Sequence, residues 1–358
     1  MLNMKVCPDR QLSKTVGDRN LVCFGAGKHF KTFLNAHRDL KENIVCVLDN
    51  NKSLNGTAVE GVPIHSVDEF MRENKKDFIL MITSLNFACE IVRQLDQLKA
   101  FDGTDAYIHI WNCNYHEKYD IKFLKGEQKI PKIIHYGWFG GNPIPKRLQG
   151  YIDTWKKFCP DYQIIRWDES NYDVSKNRYM KQAYEAKKYA FVSDYMCLDV
   201  VKDYGGIYLD TDVELLKSLD DLLCYDFYCG FEVTCFTTAA YGARRGHPVR
   251  DKLLQPYENM DFIQNGVFNE TPCGVYNTQV LVAEGFCQED VYQLRDGMAV
   301  FPREMFYPGG RLGLPGMRSE NTFSIHHYEG SWTDKERKDL QSVVLKDLVD
   351  LYIERIGA

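Results

Sequence analysis

The sequence lacks an excess of basic residues, paired cysteines and long apolar runs. Its 44 Lys and Arg against 50 Asp and Glu give a net charge of −6, and because nucleic-acid-binding proteins are usually basic, we expect no nucleic-acid partner. No apolar run reaches the ~20 residues of a membrane-spanning helix. None of the 12 cysteines forms a Cys-x-x-Cys pair, and residues 1–10 show no signal-peptide pattern. We therefore expect reduced thiols and a cytoplasmic protein, with a position at the inner face of the membrane left open.

The first third of the chain alternates short apolar strands with helical segments. One apolar stretch ends at Gly25-Ala-Gly27, a helical pattern follows, and the next apolar stretch ends at Asp49. This is the order of a dinucleotide-binding unit, although Phe30 occupies the third glycine position. The pattern predicts a small parallel α/β domain over residues 1–125, which resembles the Rossmann-like N-terminal domains of sugar-modifying and polysaccharide-synthesis enzymes. A scaffold that binds nothing and a nucleotide or nucleotide-sugar site both remain open.

A second pattern centres on two aspartates that follow a short apolar strand. Gly205 and Gly206 supply the backbone freedom that a helix end and a turn need. Residues 207–209 are apolar, and Asp210 and Asp212 come next. On an extended chain such residues face the same way, about 6–7 Å apart, and their charges repel each other unless a cation lies between them. A hard divalent ion bound to phosphate oxygens meets that need, and a solvated strand end is the alternative.

Three further segments carry residues suited to a binding site. An apolar strand leads to Trp138, which is either a core residue or a stacking platform for a base. The helical pattern over residues 180–204 puts Asp194 on an apolar side, where a carboxylate must be paired or contact a substrate. Residues 326–332 hold two His, an acid, a hydroxyl and a Trp. These groups can bind a divalent metal or a phosphate.

These motifs together resemble the bacterial branch of glycosyltransferase family 32, the enzymes of capsule and surface-glycan synthesis with a sugar-binding region containing a DXD motif. They resemble more distantly the glucosyltransferase domains of large clostridial toxins. The resemblance covers about residues 130–335. It implies a GT-A type α/β domain, which we place at residues 126–358 with the C-terminal helix included. It also implies a retaining hexosyltransferase with a nucleotide-sugar donor, taken to be a UDP-sugar, Mn²⁺ or Mg²⁺, and a glycan or lipid-linked acceptor.

The resemblance assigns substrate contacts to individual positions. It implies that Trp138 stacks on the base and that Ser193 and Asp194 contact the nucleotide and the donor sugar. Asp210 corresponds to the residue that bridges the ribose or sugar and the metal. Trp332 corresponds to part of the C-terminal loop that completes the pyrophosphate site.

The resemblance also assigns a metal site and contains one departure. It implies that the cation is held by Asp210, Asp212, His327 and Ser331. It also implies that the catalytic residues are Asp194, Asp210 and Asp212. Relatives commonly place Arg where this chain has Cys197, one helical turn after Asp194. We expect the Cys197 side chain to point toward the same cleft, which would alter the affinity or identity of the donor. Packing of Cys197 in the core, where a buried Arg would be costly, is the alternative.

The sequence leaves two other interpretations open. The chain could be a non-catalytic protein whose nucleotide-binding or nucleotide-sugar-binding part is the N-terminal unit around Gly25 and Gly27. Residues 334–356 form a terminal helix with an apolar stripe. We expect that stripe to dock on the protein's own core, with an oligomer contact or a peripheral membrane contact as alternatives.

Overall fold

The computed structural model describes residues 1–73, 77–232, 234–330 and 335–357. No helix in these ranges is both long and apolar enough to cross a membrane. All the cysteines are free thiols. The helices are α1 Leu12–Val16, α2 Lys28–Ala36, α3 Val67–Arg72, α4 Ala88–Asp96, α5 His109–Asn114, α6 Lys146–Phe158, α7 Arg178–Glu185, α8 Tyr189–Tyr204, α9 Val249–Leu254, α10 Cys273–Ala283 and α11 Lys335–Arg355.

The strands alternate with these helices through most of the chain. They are β1 Asn3–Lys5, β2 Asn20–Phe24, β3 Ile44–Leu48, β4 Ala58–Val59, β5 Val62–His65, β6 Phe78–Ile82, β7 Asp105–Ile108, β8 Ile133–Gly137, β9 Gln163–Trp167, β10 Gly206–Leu209, β11 Val213–Leu215, β12 Phe227–Glu232, β13 Cys235–Ala243, β14 Ile263–Gln264, β15 Val267–Phe268, β16 Gln293–Arg295, β17 Met298–Phe301 and β18 Ser324–His326.

The chain forms two compact units. The first comprises residues 1–117, 312–317 and 335–358, and the second comprises residues 118–311 and 318–334. The first unit therefore includes the C-terminal helix, which the sequence analysis placed in the second domain.

The first unit is built on a seven-stranded sheet with the order β1-β7-β6-β2-β3-β5-β4. Every neighbouring pair is parallel except β4 with β5. Successive side chains of β2 enter opposite core layers, since Leu21 packs with Phe30 of α2 while Val22 packs with Ile91 of α4. The sheet is buried on both faces, which explains why its strands are continuously apolar rather than alternating.

The C-terminal helix α11 packs in the core of this first unit. Leu348, Leu351 and Tyr352 are buried in the same layer as Trp111 of α5. The Trp111 indole N–H donates to the Leu348 carbonyl at 3.1 Å, and the Trp111 and Tyr352 rings meet edge to face at 5.3 Å. The predicted docking of the apolar stripe on the protein's own core is thus confirmed. The stripe packs in the first unit because Trp111 presents an apolar surface there, together with the N–H that the Leu348 carbonyl accepts.

The second unit is built on a seven-stranded mixed sheet with the order β16-β17-β12-β13-β10-β8-β9. Strands β9, β8 and β10 run parallel, and β13 pairs antiparallel with β10 and β12. Tyr208 of β10 faces a layer formed with α7–α10, whereas Ile207 and Leu209 face the layer with α6. A separate two-stranded ribbon joins β11 to β18. The predicted fold class, α/β with parallel sheets, is confirmed.

Candidate active site

The site forms where the parallel strands β8 and β10 reach their carboxyl ends. Helix α8 ends at Tyr204, and the next two residues, Gly205 with φ 68° and Gly206 with φ 108°, have left-handed backbone angles. A side chain on Gly206 would collide with the Ile133 carbonyl oxygen at 2.7 Å. Glycine is therefore required for β10 to start directly beside β8. The sheet register then brings the residues after the two strands, Trp138 and Asp210, to one edge.

The two aspartates lie in a turn rather than on an extended strand. Strand β10 ends at Leu209, and the Val213 N–H donates to the Asp210 carbonyl at 3.0 Å. An extended chain, as predicted from the sequence, would put about 6–7 Å between the two residues. The turn brings them closer, since ligand atoms of Asp210, Asp212 and His326 all lie within 4.8 Å of one another.

His326 reaches the aspartates through the ribbon of β11 and β18. Val213 pairs with His326 in that ribbon, and the His327 N–H donates to the Asp212 carbonyl at 3.0 Å. The His326 Nε2 atom lies 3.2 Å from Asp212 Oδ1, while the Glu329 N–H donates to Asp212 Oδ2 at 2.9 Å. The Asp212 carboxylate is thereby held by two groups from a segment more than a hundred residues away.

His327, the predicted ligand, points elsewhere. Its Nε2 lies 2.8 Å from Glu214 Oε2, and its ring stacks on Tyr151 at 4.1 Å with an interplanar angle of 9°. His326 is the last residue of β18 and His327 follows it, and consecutive residues of an extended chain face opposite ways. The alternation was visible in the sequence, but which histidine faced inward was not. The structure brings His326 to this position in place of His327.

The electrostatics of the cluster favour a bound cation. Burial, and then repulsion from Asp212, raises the pKa of Asp210 well above its ordinary value. Burial also tends to raise the pKa of Asp212, but attraction to His326 and the Glu329 N–H hold it below its ordinary value. Although burial opposes the charge on His326, the Asp212 carboxylate raises the pKa of His326 to about 9. The imidazolium thus supplies the positive charge that the carboxylates require when no metal is present.

The residues present fit a hard or borderline divalent ion. Two carboxylates and an imidazole are oxygen and nitrogen ligands of the kind that Mn²⁺ and Mg²⁺ sites use. The side chains of His326 and Asp212 keep 12% and 14% of their surface exposed, so an ion and an anionic ligand can reach them. The buried Nδ1 of His326 has no hydrogen-bond partner among the residues that the structure describes.

The predicted substrate-contacting residues Trp138 and Ser193 lie at the same sheet edge. Trp138 follows β8 directly, is half-buried, and is fixed by its indole N–H, which donates to the Asn142 carbonyl at 2.6 Å. A side chain on Gly137 would meet the Ser193 hydroxyl at 3.1 Å, which places that hydroxyl against the end of β8. Ser193 also hydrogen-bonds Tyr208, whose hydroxyl donates to Asp210 at 3.0 Å.

Asp194 lies deep beside Asp210. Burial, and then repulsion from Asp210, raises the pKa of Asp194 to about 7, while a hydrogen bond from the Cys273 thiol works in the other direction. No ion pair of Asp194 occurs among the described residues, so the structural salt bridge that the sequence left open is not formed there. A carboxylate kept without a cationic partner next to Asp210 suits contact with a ligand.

Cys197 belongs to the core rather than to the cleft. Its side chain is 2% exposed and packs in the layer of α7–α10, and its thiol donates to the Asp194 carbonyl at 3.4 Å. The expectation that it points into the site is not met. Helix α8 directs Asp194 toward Asp210. Cys197, one helical turn later, faces the core instead.

Replacing Cys197 by arginine is therefore expected to lower the melting temperature. Forcing a larger side chain into a packed core costs about 1–3 kcal/mol. Differential scanning calorimetry of Cys197→Arg checks this, with Cys197→Ser as the matched control of nearly equal volume. An unchanged melting temperature together with altered nucleotide binding would show that the side chain reaches the cleft.

Two predicted site residues, Ser331 and Trp332, lie outside the described residues. Their roles in the metal and pyrophosphate site remain predictions.

The first unit contains a separate cleft beside its glycine turn. It measures about 380 Å³ and is bordered by Gly25, Asp49, Asn50 and Ser84 among others. Both Asp49 oxygens already accept backbone N–H groups, from Ala26 and from Asn51, each at 2.8 Å. In this structure the acid that would hold a ribose fixes the turn instead, and nucleotide binding here remains a hypothesis.

Comparisons with known proteins agree with an aspartate-based cation site of the DXD type. Residues 145–228 match the family model described as glycosyltransferase sugar-binding region containing DXD motif. Residues 17–101 match the model described as C2185-like, N-terminal. The predicted resemblance to a DXD-containing glycosyltransferase region is thus confirmed for the middle of the chain, which includes Asp194, Asp210 and Asp212.

The similar curated proteins come from a virus and from yeasts. An uncharacterized glycosyltransferase of Acanthamoeba polyphaga mimivirus is 31% identical over 153 residues, covering 40% of this chain and 60% of that protein. Inositol phosphoceramide mannosyltransferase 3 of Schizosaccharomyces pombe is 32% identical over 140 residues, covering 37% of each chain. This chain therefore spans less than two thirds of either relative. The bacterial, capsule-type branch remains a prediction.

Two solved structures show partial similarity. The PaToxG glycosyltransferase superposes with a TM-score of 0.36 at 23% identity, over 44% of this chain and 70% of that chain. A glycosyltransferase involved in the glycosylation of the major capsid of PBCV-1 gives 0.34 at 8% identity, over 60% and 99% of the respective chains.

Proposed function

We propose that this protein is a metal-dependent glycosyltransferase that transfers a hexose from a nucleotide-sugar, taken to be a UDP-sugar, to a glycan or lipid-linked acceptor. The observation that carries the proposal is the convergence of Asp210, Asp212 and His326 at the strand edge where Trp138 also lies. The family match over residues 145–228 supports the same activity. Surface-glycan synthesis as the process and a cytoplasmic location remain predictions from the sequence.

The residues of the chain divide the work of binding. Asp210, Asp212 and His326 would hold the cation, which would supply positive charge to neutralise the diphosphate leaving group. The half-buried Trp138 ring is proposed to stack on the base, a contact that tolerates many bases because each has a π-face. We expect Asp194, beside Asp210, and Ser193, which hydrogen-bonds Tyr208, to contact the sugar and ribose hydroxyls.

We infer that transfer retains the configuration of the sugar. The bond between the anomeric carbon and the diphosphate oxygen breaks while a bond to the acceptor hydroxyl oxygen forms on the same face. The departing diphosphate oxygen takes the acceptor proton, so no protein nucleophile is required. We expect Asp194 and its neighbour Asp210 to stabilise the positive charge that develops on the sugar.

UDP and Mn²⁺ together are expected to raise the melting temperature more than either alone. A ligand bound to the native state at a hundredfold excess over its dissociation constant adds about 2.7 kcal/mol to the free energy of unfolding. Thermal-shift measurements with UDP, GDP and NAD, each with and without Mn²⁺, check the expectation. The matched control is Asp212→Asn, which should lose the Mn²⁺-dependent part.

The outcomes separate the parts of the proposal. Stabilisation by GDP and not by UDP would support the proposed glycosyltransferase activity but replace the UDP-sugar by a GDP-sugar as the donor. Because the named yeast relatives are mannosyltransferases, GDP-mannose is included among the ligands tested. Stabilisation by NAD alone would overturn the proposal in favour of a binding protein that uses the first unit. Product analysis by NMR distinguishes retention from inversion.

A further inference from the structure

A second cluster of metal-ligand side chains lies in the first unit, apart from the residues assigned to transfer. His109 and Cys113 are one turn apart on α5 and so share a face of that helix. Asp9 begins a short 3-10 helix near the start of the chain, and His37 directly follows α2. Three segments that are distant in sequence thus bring sulfur, nitrogen and oxygen donors together.

The donor atoms converge on one point. His109 Nε2 lies 3.3 Å from Cys113 Sγ and 3.5 Å from Asp9 Oδ1, and ligand atoms of these three residues all lie within 4.8 Å of one another. His37 Nε2 lies 3.1 Å from the same Asp9 oxygen. A single imidazole nitrogen carries either one proton or one lone pair. His109 Nε2 therefore donates to Asp9 or accepts from Cys113, whereas a metal ion would contact all three donor atoms at once.

The spacing suits a tetrahedral ion. Bonds of about 2.0–2.1 Å to nitrogen or oxygen and about 2.3 Å to sulfur put neighbouring tetrahedral ligands about 3.3–3.6 Å apart. The distances from His109 Nε2 to Cys113 Sγ and Asp9 Oδ1, 3.3 and 3.5 Å, agree with these edges. A mixed thiolate, imidazole and carboxylate set favours Zn²⁺ over the hard ions expected at the aspartate pair.

The surroundings partly shield the cluster from solvent. The side chains of His109 and Asp9 are 13% and 28% exposed, so the cluster is shielded yet accessible to an ion. The Phe33 ring lies 5.0 Å from both His37 and His109, providing an apolar shell. Such shells and hydrogen-bonded ligands orient the donors around a metal.

We propose that Asp9, His109 and Cys113 bind one zinc ion, with His37 positioning the Asp9 carboxylate. The ion ties the N-terminal segment to α5 and stabilises the first unit. The site is independent of the proposed transfer reaction, since none of its residues belongs to the second unit.

Cobalt spectroscopy on the full chain tests the site. Co²⁺ replaces Zn²⁺ in tetrahedral sites and gives a near-ultraviolet charge-transfer band only when a thiolate is bound. We expect the band in the wild type after chelation and Co²⁺ addition, and its loss in Cys113→Ser. Cys287→Ser, an exposed thiol in the second unit, and Asp212→Asn are matched controls that should retain the band.

A second measurement covers the positioning role. His37→Ala should keep the cobalt band and weaken Zn²⁺ binding by about 10–100-fold in competition with a chelator, as outer partners of metal ligands do. Melting temperatures in EDTA show that Cys113→Ser and His37→Ala are folded. The zinc site would be overturned if the wild type showed no band or if the band persisted in Cys113→Ser. The positioning role of His37 would be overturned if His37→Ala bound Zn²⁺ as tightly as the wild type. The proposed Mn²⁺-dependent transfer reaction does not depend on the result of these experiments.

Discussion

Replacing Asp212 by asparagine is expected to abolish glycosyl transfer while leaving the protein folded. The amide has the shape of the carboxylate and can still accept the Glu329 N–H, but it is neutral and a poorer ligand for a hard cation. Loss of one group that stabilises a developing negative charge lowers turnover by about 10²–10³-fold. Steady-state transfer or donor hydrolysis, measured over a range of Mn²⁺ concentrations, checks the loss.

The control for this variant is Asp153→Asn on α6, a charge change at a side chain that is 59% exposed. It should leave both turnover and melting temperature unchanged. His326→Gln should weaken the Mn²⁺ dependence, whereas the same change at His327 should affect it less, because His327 bonds Glu214 and stacks on Tyr151. Near wild-type turnover of Asp212→Asn at low Mn²⁺ would contradict the assigned metal site.

Replacing Asp194 by asparagine is expected to stabilise the metal-free protein at pH 8 while lowering its activity. Burial raises the pKa of Asp194 from 3.8 to about 7, so between these values the folded state holds its proton more tightly than the unfolded state. The stability that this proton provides is present at low pH and is lost as the pH rises through about 7. The asparagine side chain cannot ionise, and at about 1.4 kcal/mol per pKa unit the gain above pH 7 is on the order of 1–4 kcal/mol.

Melting temperatures of the wild type and Asp194→Asn in EDTA, from pH 4 to pH 8, test this expectation. The two curves should be close at pH 4 and separate as the pH rises. Asp203→Asn, at an exposed position of the same helix α8, is the matched control and should follow the wild type. Parallel curves for all three proteins would show that Asp194 ionises normally. A gain in stability with a loss of transfer would mark a residue retained for function at the expense of stability.

Local patterns in the sequence predicted the elements that position the site. The glycine pair predicted the end of α8 and the start of β10, because only glycine adopts the backbone angles and the close approach to β8 found at residues 205 and 206. The apolar run after them predicted a buried strand, and the two aspartates predicted a cation site. Each of these inferences depends on residues that are neighbours along the chain.

The partners from distant segments could not be predicted in this way. The register of β18 against β11 selects His326 rather than His327, since Val213 pairs with His326 across the ribbon. The apolar stripe of the last helix predicted docking, but only packing against Trp111 assigns it to the first unit. Cys197 lies in the core because α8 packs with α7, α9 and α10 on that side.

The sequence by itself thus determined the fold class, the aspartate pair and the carboxylate at Asp194. The tertiary structure alone decided which histidine joins the aspartates and how close their carboxylates lie. It also decided which donors gather around His109. The physical reason is that backbone propensity and side-chain periodicity are properties of short segments. A ligand set, by contrast, depends on strand register and helix packing between segments far apart in the chain.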